Sequence, residues 1–332
     1  MRVLVTGGSG FLGLELCRRL AGRGDIAVSL HRRWSPELER LGVRQHLGDI
    51  ADPRTVRRAL AGCEAVIHNA ALAGVRGPER PYRTVNVDGT RHVLTTCRAL
   101  GIRQLVYTST ASVAFTPEGG VTGADESRPG PRRHSAAYPR TKAQAEAAVL
   151  AANGPDLATT ALRPHLIWGP GDPHFLPALL RATQGGRLLM PGRGTNLVDT
   201  CPLATAAHAH LLALDRLRPG HPAAGRAYFI AQGEPRPLRE VVTGLLAAAG
   251  RRASWHPVPY PVALAAAVLA DATTTVLRRH TDHGLSRFLL HQLTRPHWFD
   301  LTAARRDLGF EPPTTFDQAM AELTRHHRTT GG

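Results

Sequence analysis

The 332-residue chain carries 41 lysines and arginines against 26 aspartates and glutamates, a formal charge of +15, and is long enough for a nucleotide-binding domain with a smaller lobe grafted on. The arginines are dispersed, with no aromatic-interleaved basic patch and no zinc-finger spacing, so nucleic acid is not an expected partner and anionic small molecules are. Cys17, Cys63, Cys97 and Cys201 fall in no CxxC or paired pattern, which argues against a disulfide framework and a metal site and suits a reducing cytoplasm.

In chain order, the N-terminus opens on an apolar strand at 3–5 without a charged leader, so no secretion signal is expected. Helical periodicity follows over 11–21, then a strand over 27–30, a helix over 53–60 and a strand over 65–67. A helix over 85–100, a strand over 104–107, a helix over 135–152 and a strand over 159–162 continue the alternation. Alternating strands and helices predict right-handed βαβ units, hence an α/β fold: a Rossmann-type, doubly wound parallel sheet. Beyond Pro164 the pattern loosens into Gly-Pro punctuation at Gly169-Pro170-Gly171 and Pro191-Gly192. Residues 1–165 are therefore expected to form the dinucleotide-binding domain. Residues 166–332 would form mainly a smaller C-terminal substrate lobe, with some segments returning to the first domain. The longest apolar stretch, 262–277, is Ala-rich, broken by Asp271 and three threonines, and too short to span a bilayer; packing against an apolar surface is expected instead.

Four constellations carry chemistry. Thr6-Gly7-Gly8-Ser9-Gly10-Phe11-Leu12-Gly13 lies between the first strand and the first helix. Gly7, Gly10 and Gly13 permit a tight turn and close backbone approach to a pyrophosphate, and the helix N-terminus at Phe11 and Leu12 directs amides at the anion. After the second strand, where a carboxylate would bind a free ribose hydroxyl, the chain reads His31-Arg32-Arg33. Guanidinium groups there pair with a 2′-phosphate, so NADP(H) is expected over NAD(H). Asp49 and Ile50 after the third strand, and Ala70 and Ala71 after the fourth, sit where the adenine and ribose would pass.

The third constellation is Tyr138-Pro139-Arg140-Thr141-Lys142. One helical turn puts phenol and ammonium on the same face, and a phenol needs a nearby cation to exchange protons readily at neutral pH. Lys142 is the sole lysine in a chain with five tyrosines; its fall four residues after one of them has a chance of about one or two per cent. The fourth, Thr108-Ser109-Thr110-Ala111-Ser112, closes the fifth strand at the edge where open α/β sheets bind ligands. Any of its four hydroxyls could meet a substrate carbonyl, and spacing does not choose among them.

Together these elements resemble an extended short-chain dehydrogenase/reductase, and the likeness runs nearly to the end of the chain. Tyr107-Thr108-Ser109-Thr110, Tyr138 to Lys142 running into Glu146-Ala147-Ala148, and Leu162-Arg163-Pro164-His165-Leu166-Ile167-Trp168-Gly169-Pro170-Gly171-Asp172 resemble the 3β-hydroxysteroid dehydrogenase branch. Within it, Leu41-Gly42-Val43, Asn196-Leu197-Val198-Asp199, Ala227-Tyr228-Phe229-Ile230 and Pro296-His297-Trp298-Phe299 are most similar to bacterial reductases of 2-alkyl-3-oxo acids in olefin and β-lactone routes. The resemblance implies Tyr138 as proton donor, Lys142 as the group that lowers its pKa and holds the nicotinamide ribose, and Thr110, three residues before Val113, as the hydroxyl orienting the carbonyl. Asn86 would be the branch's helix asparagine, and Pro164 to Ile167 would border the nicotinamide.

The implied reaction is NADPH-dependent reduction of a β-keto acid. The implied partners are an acyl substrate bearing a carboxylate, a homodimer mate and neighbouring pathway enzymes. A steroid or sterol dehydrogenase would use the same residues, and a non-catalytic NADP-binding sensor or scaffold would be marked by loss of the Tyr–Lys pair. The chain departs from the branch at Thr200-Cys201-Pro202-Leu203-Ala204-Thr205, where an aromatic residue and an Asp-Asn pair are usual; a reshaped substrate lobe is expected.

Overall fold

The computed structural model describes residues 1–74, 77–115, 120–128, 130–131, 134, 136–277 and 286–330. Its centre is a seven-stranded, fully parallel sheet. We label the strands β1 (Arg2–Thr6), β2 (Ile26–His31), β3 (Arg44–Leu47), β4 (Ala65–His68), β5 (Gln104–Thr108), β6 (Ala158–Pro164) and β7 (Arg226–Ile230), in spatial order 7-6-5-4-1-2-3. The order reverses between β1 and β4, so their C-terminal ends diverge and leave the crevice in which doubly wound sheets bind dinucleotides. The central strands are near-continuous apolar runs because both faces are covered.

One face carries α1 (Phe11–Gly22), whose Leu12, Leu16 and Leu20 pack with Val3 and Val5. The other carries α2 (Pro53–Leu60), α3 (Gly89–Ala99) and α4 (Ala137–Ala151), whose Val56, Val93 and Val149 pack with Leu4, Val66 and Leu105. Helix α5 (Leu203–Arg216) returns from the second half of the chain to cover α1's face. The single helix expected over 85–100 is two pieces, a π-helical stretch at Arg83–Asp88 and α3, preceded by a short helical turn at Glu79–Tyr82. The π stretch widens the backbone where Asn86 turns inward, a local bulge of the kind found near functional sites.

The lobe has its own core around Trp168, Leu188, Met190, Val198, Val242 and Phe316. It includes α6 (Tyr260–Leu277) and α7 (Arg287–Thr294). The chain crosses between the two parts more than once. Val121–Ala124, from the first half, pairs with His297–Phe299 from the second, and β7 completes the main sheet beside β6. Residues 200–205 are largely buried: Trp168 donates its indole N–H to the Thr200 hydroxyl at 2.9 Å and the Thr205 hydroxyl donates to Gln232 at 3.1 Å. The departure there is thus taken up in packing between sheet and lobe.

Candidate active site

The glycine turn fits a pyrophosphate by elimination of side chains. Gly7 has φ +71°, and a Cβ on it would stand 3.0 Å from Ala70 Cα; one on Gly13 would stand 2.1 Å from the Gly7 carbonyl. Gly8, outside the expected triplet, is as constrained, since its Cβ would lie 2.1 Å from Ser29 Oγ. Gly10 donates its N–H to the Gly7 carbonyl at 2.9 Å and sits at the N-cap of α1 without a side-chain cap, so the amides at Phe11 and Leu12 face the crevice unblocked by a carboxylate or hydroxyl.

Arg32 and Arg33 are exposed just past β2. Asp49 folds back on its own loop, accepting from Ala51 N–H at 2.9 Å, and Ile50 is buried against α3, where a Cβ on Gly89 would meet it at 2.8 Å. Ile50 is therefore chiefly a packing residue. Ala70 donates its N–H to the Thr6 hydroxyl at 3.0 Å, and Ala71 is exposed.

Tyr138 stands in the first turn of α4, and Lys142 one turn later is 1% exposed. Burial draws the ammonium's pKa from 10.5 down to about 7. Its Nζ donates to the Thr108 carbonyl at 2.5 Å and lies 4.2 Å from the centre of the Tyr107 ring. Burial pushes the Tyr138 phenol up to about 12, against a smaller downward pull from the Thr110 hydroxyl, its hydrogen-bonding neighbour. The lowering expected from Lys142 is absent in this arrangement, because the ammonium is directed onto Thr108 and Tyr107. Thr110 also caps the 3-10 turn Ala111–Ala114, accepting from Ser112 N–H at 3.2 Å, which fixes its side chain at the end of β5. Of the four competing hydroxyls it is the one beside the phenol. Thr108 bonds His210 on the far face of β5 at 2.8 Å, and Ser109 Oγ is buried with no hydrogen-bond partner among the described residues.

A buried polar chain ties the glycine turn to α4. The Thr6 hydroxyl donates to His68 Nδ1 at 2.7 Å, His68 Nε2–H donates to the Thr90 hydroxyl at 2.9 Å, and Thr90 donates to the Asn86 carbonyl at 2.6 Å. Asn86 Nδ2 donates to the Thr141 hydroxyl at 3.0 Å and to the Leu72 carbonyl at 3.1 Å, while its Oδ1 accepts from Leu72 N–H at 2.7 Å. Burial holds His68 neutral, with its pKa down at about 3. This linking role of His68 was not read from the sequence, although a polar residue ending an apolar strand was its signal.

Pro164 is buried at the end of β6 and Ile167 is half-buried, with Leu166 between them at φ +48°, a strained turn that sends the chain into the lobe. Next to Pro164, His165 Nε2 meets His297 Nδ1 at 2.7 Å, and His297 Nε2 meets the Gln292 carbonyl at 2.7 Å. A carbonyl only accepts, so neutral His297 carries its proton on Nε2 and offers Nδ1 to His165. The two rings sit among Phe115 and Phe299, and nothing in the sequence joined positions 132 residues apart. Among the described residues no group of three His, Cys, Asp or Glu side chains could hold a metal ion, and no helix is long and apolar enough to cross a membrane.

A glycine-lined crevice at the switch point of a parallel sheet, with a Tyr–Lys helix beside it, defines an NAD(P)-dependent oxidoreductase of the extended short-chain dehydrogenase/reductase class. The 3-beta hydroxysteroid dehydrogenase/isomerase family model matches residues 4–258, and the chain belongs to that family. It is 46% identical over 326 residues to the 2-alkyl-3-oxoalkanoate reductase of Stenotrophomonas maltophilia, covering 97% of this chain and 98% of the relative. It is 32% identical to the 3-beta-hydroxysteroid dehydrogenase of Mycolicibacterium neoaurum, covering 98% of this chain and 91% of the relative. Among solved structures, the UDP-glucose 4-epimerase of Thermus thermophilus in complex with NAD superposes with a TM-score of 0.74 at 27% identity, covering 99% of each chain.

Proposed function

We propose that this enzyme reduces a 2-alkyl-3-oxo acid to the 2-alkyl-3-hydroxy acid with NADPH. The reading is carried by Tyr138 and Thr110 standing together at the C-terminal edge of the sheet beside buried Lys142, in a chain 46% identical to a reductase of that substrate class. The cofactor, when bound, supplies hydride to the carbonyl carbon. Thr110 donates a hydrogen bond to the carbonyl oxygen, and Tyr138, neutral across the physiological range, gives that oxygen its proton. Lys142 supports the ionised phenol and the ribose edge once a ligand draws its ammonium off Thr108. Reduction also has a chemical purpose: a β-keto acid sheds carbon dioxide readily, whereas the β-hydroxy acid keeps its carboxylate for later closure to a β-lactone or conversion to an olefin.

Arg32 and Arg33 favour the 2′-phosphate of NADPH, and no carboxylate stands beside them in sequence to repel it. A 3β-hydroxysteroid dehydrogenase is the second reading, supported by the family match and the 32% identical relative. The deciding assay follows nicotinamide absorbance with a long-chain 2-alkyl-3-hydroxy acid, its decarboxylated alcohol and a 3β-hydroxysteroid, each with NADP⁺ and NAD⁺. The hydroxy acid with NADP⁺ is expected to give the highest kcat/KM. A faster steroid, or a decarboxylated alcohol as good as the acid, rejects the substrate; a preference for NAD⁺ rejects the cofactor.

A further inference from the structure

The substrate lobe carries a concavity that no step above uses. The turn Gly192-Arg193-Gly194-Thr195 follows the strand Arg187–Pro191, and its two glycines hold φ at +72° and +68°, in the region that side chains disfavour. Beside the turn lies an open cleft of about 580 Å³. Arg239 and Glu240, in the first turn of the helix Leu238–Ala248, close one side of it. Trp255 and Pro257, on one face of the strand Ser254–Val258, close another. None of the residues lining this cleft belongs to the glycine turn at 7–13, the end of β5 or the Tyr–Lys helix.

The indole is held in place. Trp255 donates its N–H to the Gly192 carbonyl at 3.0 Å, and a Cβ on Gly194 would stand 2.6 Å from the indole Cζ2 and 2.9 Å from Arg239 Cβ. A bare glycine therefore lets the ring and the guanidinium stem close on the turn together. The charges of the cleft are not balanced. Arg193 and Arg239 are exposed and enter no ion pair among the described residues, whereas Glu240, the acid of the lining, is held by Arg236 at 2.7 Å. The leading amides of the helix are already engaged, Leu238 N–H by the Asn196 carbonyl and Arg239 N–H by the Gly194 carbonyl, both at 2.9 Å. An anion entering here is met by guanidinium groups.

We propose that this cleft binds a nucleoside phosphate, at a site separate from the dinucleotide crevice. Two guanidinium groups without partners suit the several anionic oxygens of a phosphate. The fixed indole offers a flat face on which a base stacks. The volume lies in the range of small-molecule sites and exceeds what a bare anion fills. Thr195, exposed on the turn, supplies a hydroxyl for the ribose. A simple oxyanion would use the arginines and leave the indole idle, and an uncharged aromatic would do the reverse; a nucleoside phosphate uses both. The site does not depend on the keto-acid substrate read above.

The probe is AMP, titrated calorimetrically into the full-length protein saturated with NADP⁺ and, in parallel, with NAD⁺, so that the crevice is already filled. One AMP per chain is expected, bound about tenfold more tightly than ribose 5-phosphate, which lacks the base. The affinity should fall more than about tenfold in the double variant Arg193→Ala, Arg239→Ala. Both side chains are exposed, so the variant keeps its circular dichroism, its nicotinamide binding and its turnover. AMP binding that disappears once the crevice is filled, equal affinity for AMP and ribose 5-phosphate, or an undiminished affinity in the double variant overturns the proposal. Because no acyl substrate is present and each dinucleotide has its own arm, failure of the keto-acid or NADPH reading is told apart from failure of this site.

Discussion

Replacing Lys142 with Met should abolish turnover and yet stabilise the free protein at neutral pH. The fall of the ammonium's pKa from 10.5 to about 7, at 1.36 kcal/mol per unit, corresponds to about 5 kcal/mol given up by the folded chain relative to an unfolded one holding that ammonium in water. The bond to the Thr108 carbonyl and the Tyr107 ring face return about 2–3 kcal/mol. An apolar side chain of similar length avoids the whole cost, so the variant should gain about 2 kcal/mol at pH 7. The folded pKa lies below the unfolded one, so between about pH 7 and 10.5 the folded state binds fewer protons and wild-type stability rises with pH. The Met variant lacks that contribution, so its advantage of about 2 kcal/mol should shrink by about 1.4 kcal/mol per pH unit and be gone by about pH 8.5. Urea unfolding of both proteins at the two ends of the window measures the difference, in which the other titrating groups cancel. A variant less stable than wild type at pH 7, or an advantage that does not shrink with pH, refutes the reasoning.

Tyr138→Phe should lower kcat at least about a hundredfold while leaving cofactor affinity unchanged, as titration calorimetry and steady-state rates together would show. A variant with near-normal kcat removes Tyr138 from the chemistry. Arg32→Ala combined with Arg33→Ala should weaken NADPH binding by about 1–3 kcal/mol for each guanidinium–phosphate pair removed and leave NADH unaffected; fluorescence titration of both cofactors decides it. Glu146→Gln breaks a nearly buried pair in which Arg163 donates to Glu146 at 2.6 Å, and leaving that guanidinium unmatched should cost about 3–5 kcal/mol in urea unfolding.

Much of this molecule is legible in its sequence wherever a signal is local. The strands β1, β2, β4 and β5 are short apolar runs followed by turn residues, and the glycine turn announces itself by position. Lys142 stood out because composition had removed every other lysine, and its depth in the structure explains why an amine there is distinctive. What escaped was non-local. Strand β7 begins with Arg226 and lies far along the chain from β6, so its place in the main sheet could not be assigned from period alone. The π stretch at Arg83–Asp88 has no sequence signature beyond an ordinary helical pattern. The contacts His165–His297 and Thr108–His210 join residues more than a hundred positions apart, and a buried histidine reads in sequence like any other. The apolar stretch near 262 was visible, but which of its faces was covered depended on Leu290, on the next helix.

The way the chain closes its main sheet also bears on how the protein is made. A ribosome releases the chain N-terminus first, so β6 is complete at Pro164 while its outer partner, β7, begins only at Arg226. For the roughly sixty residues between them, the nascent sheet ends in an unsealed edge, a row of open N–H and C=O groups beside buried-type side chains. Helix α5, which shields one face, emerges within the same interval. The hazard of sticking to a neighbouring chain therefore peaks during translation rather than after release. A fragment ending near 165 would hold Thr110, Tyr138 and Lys142 and still not be a working half-enzyme, because the strand that seals its sheet belongs to the other half of the gene product.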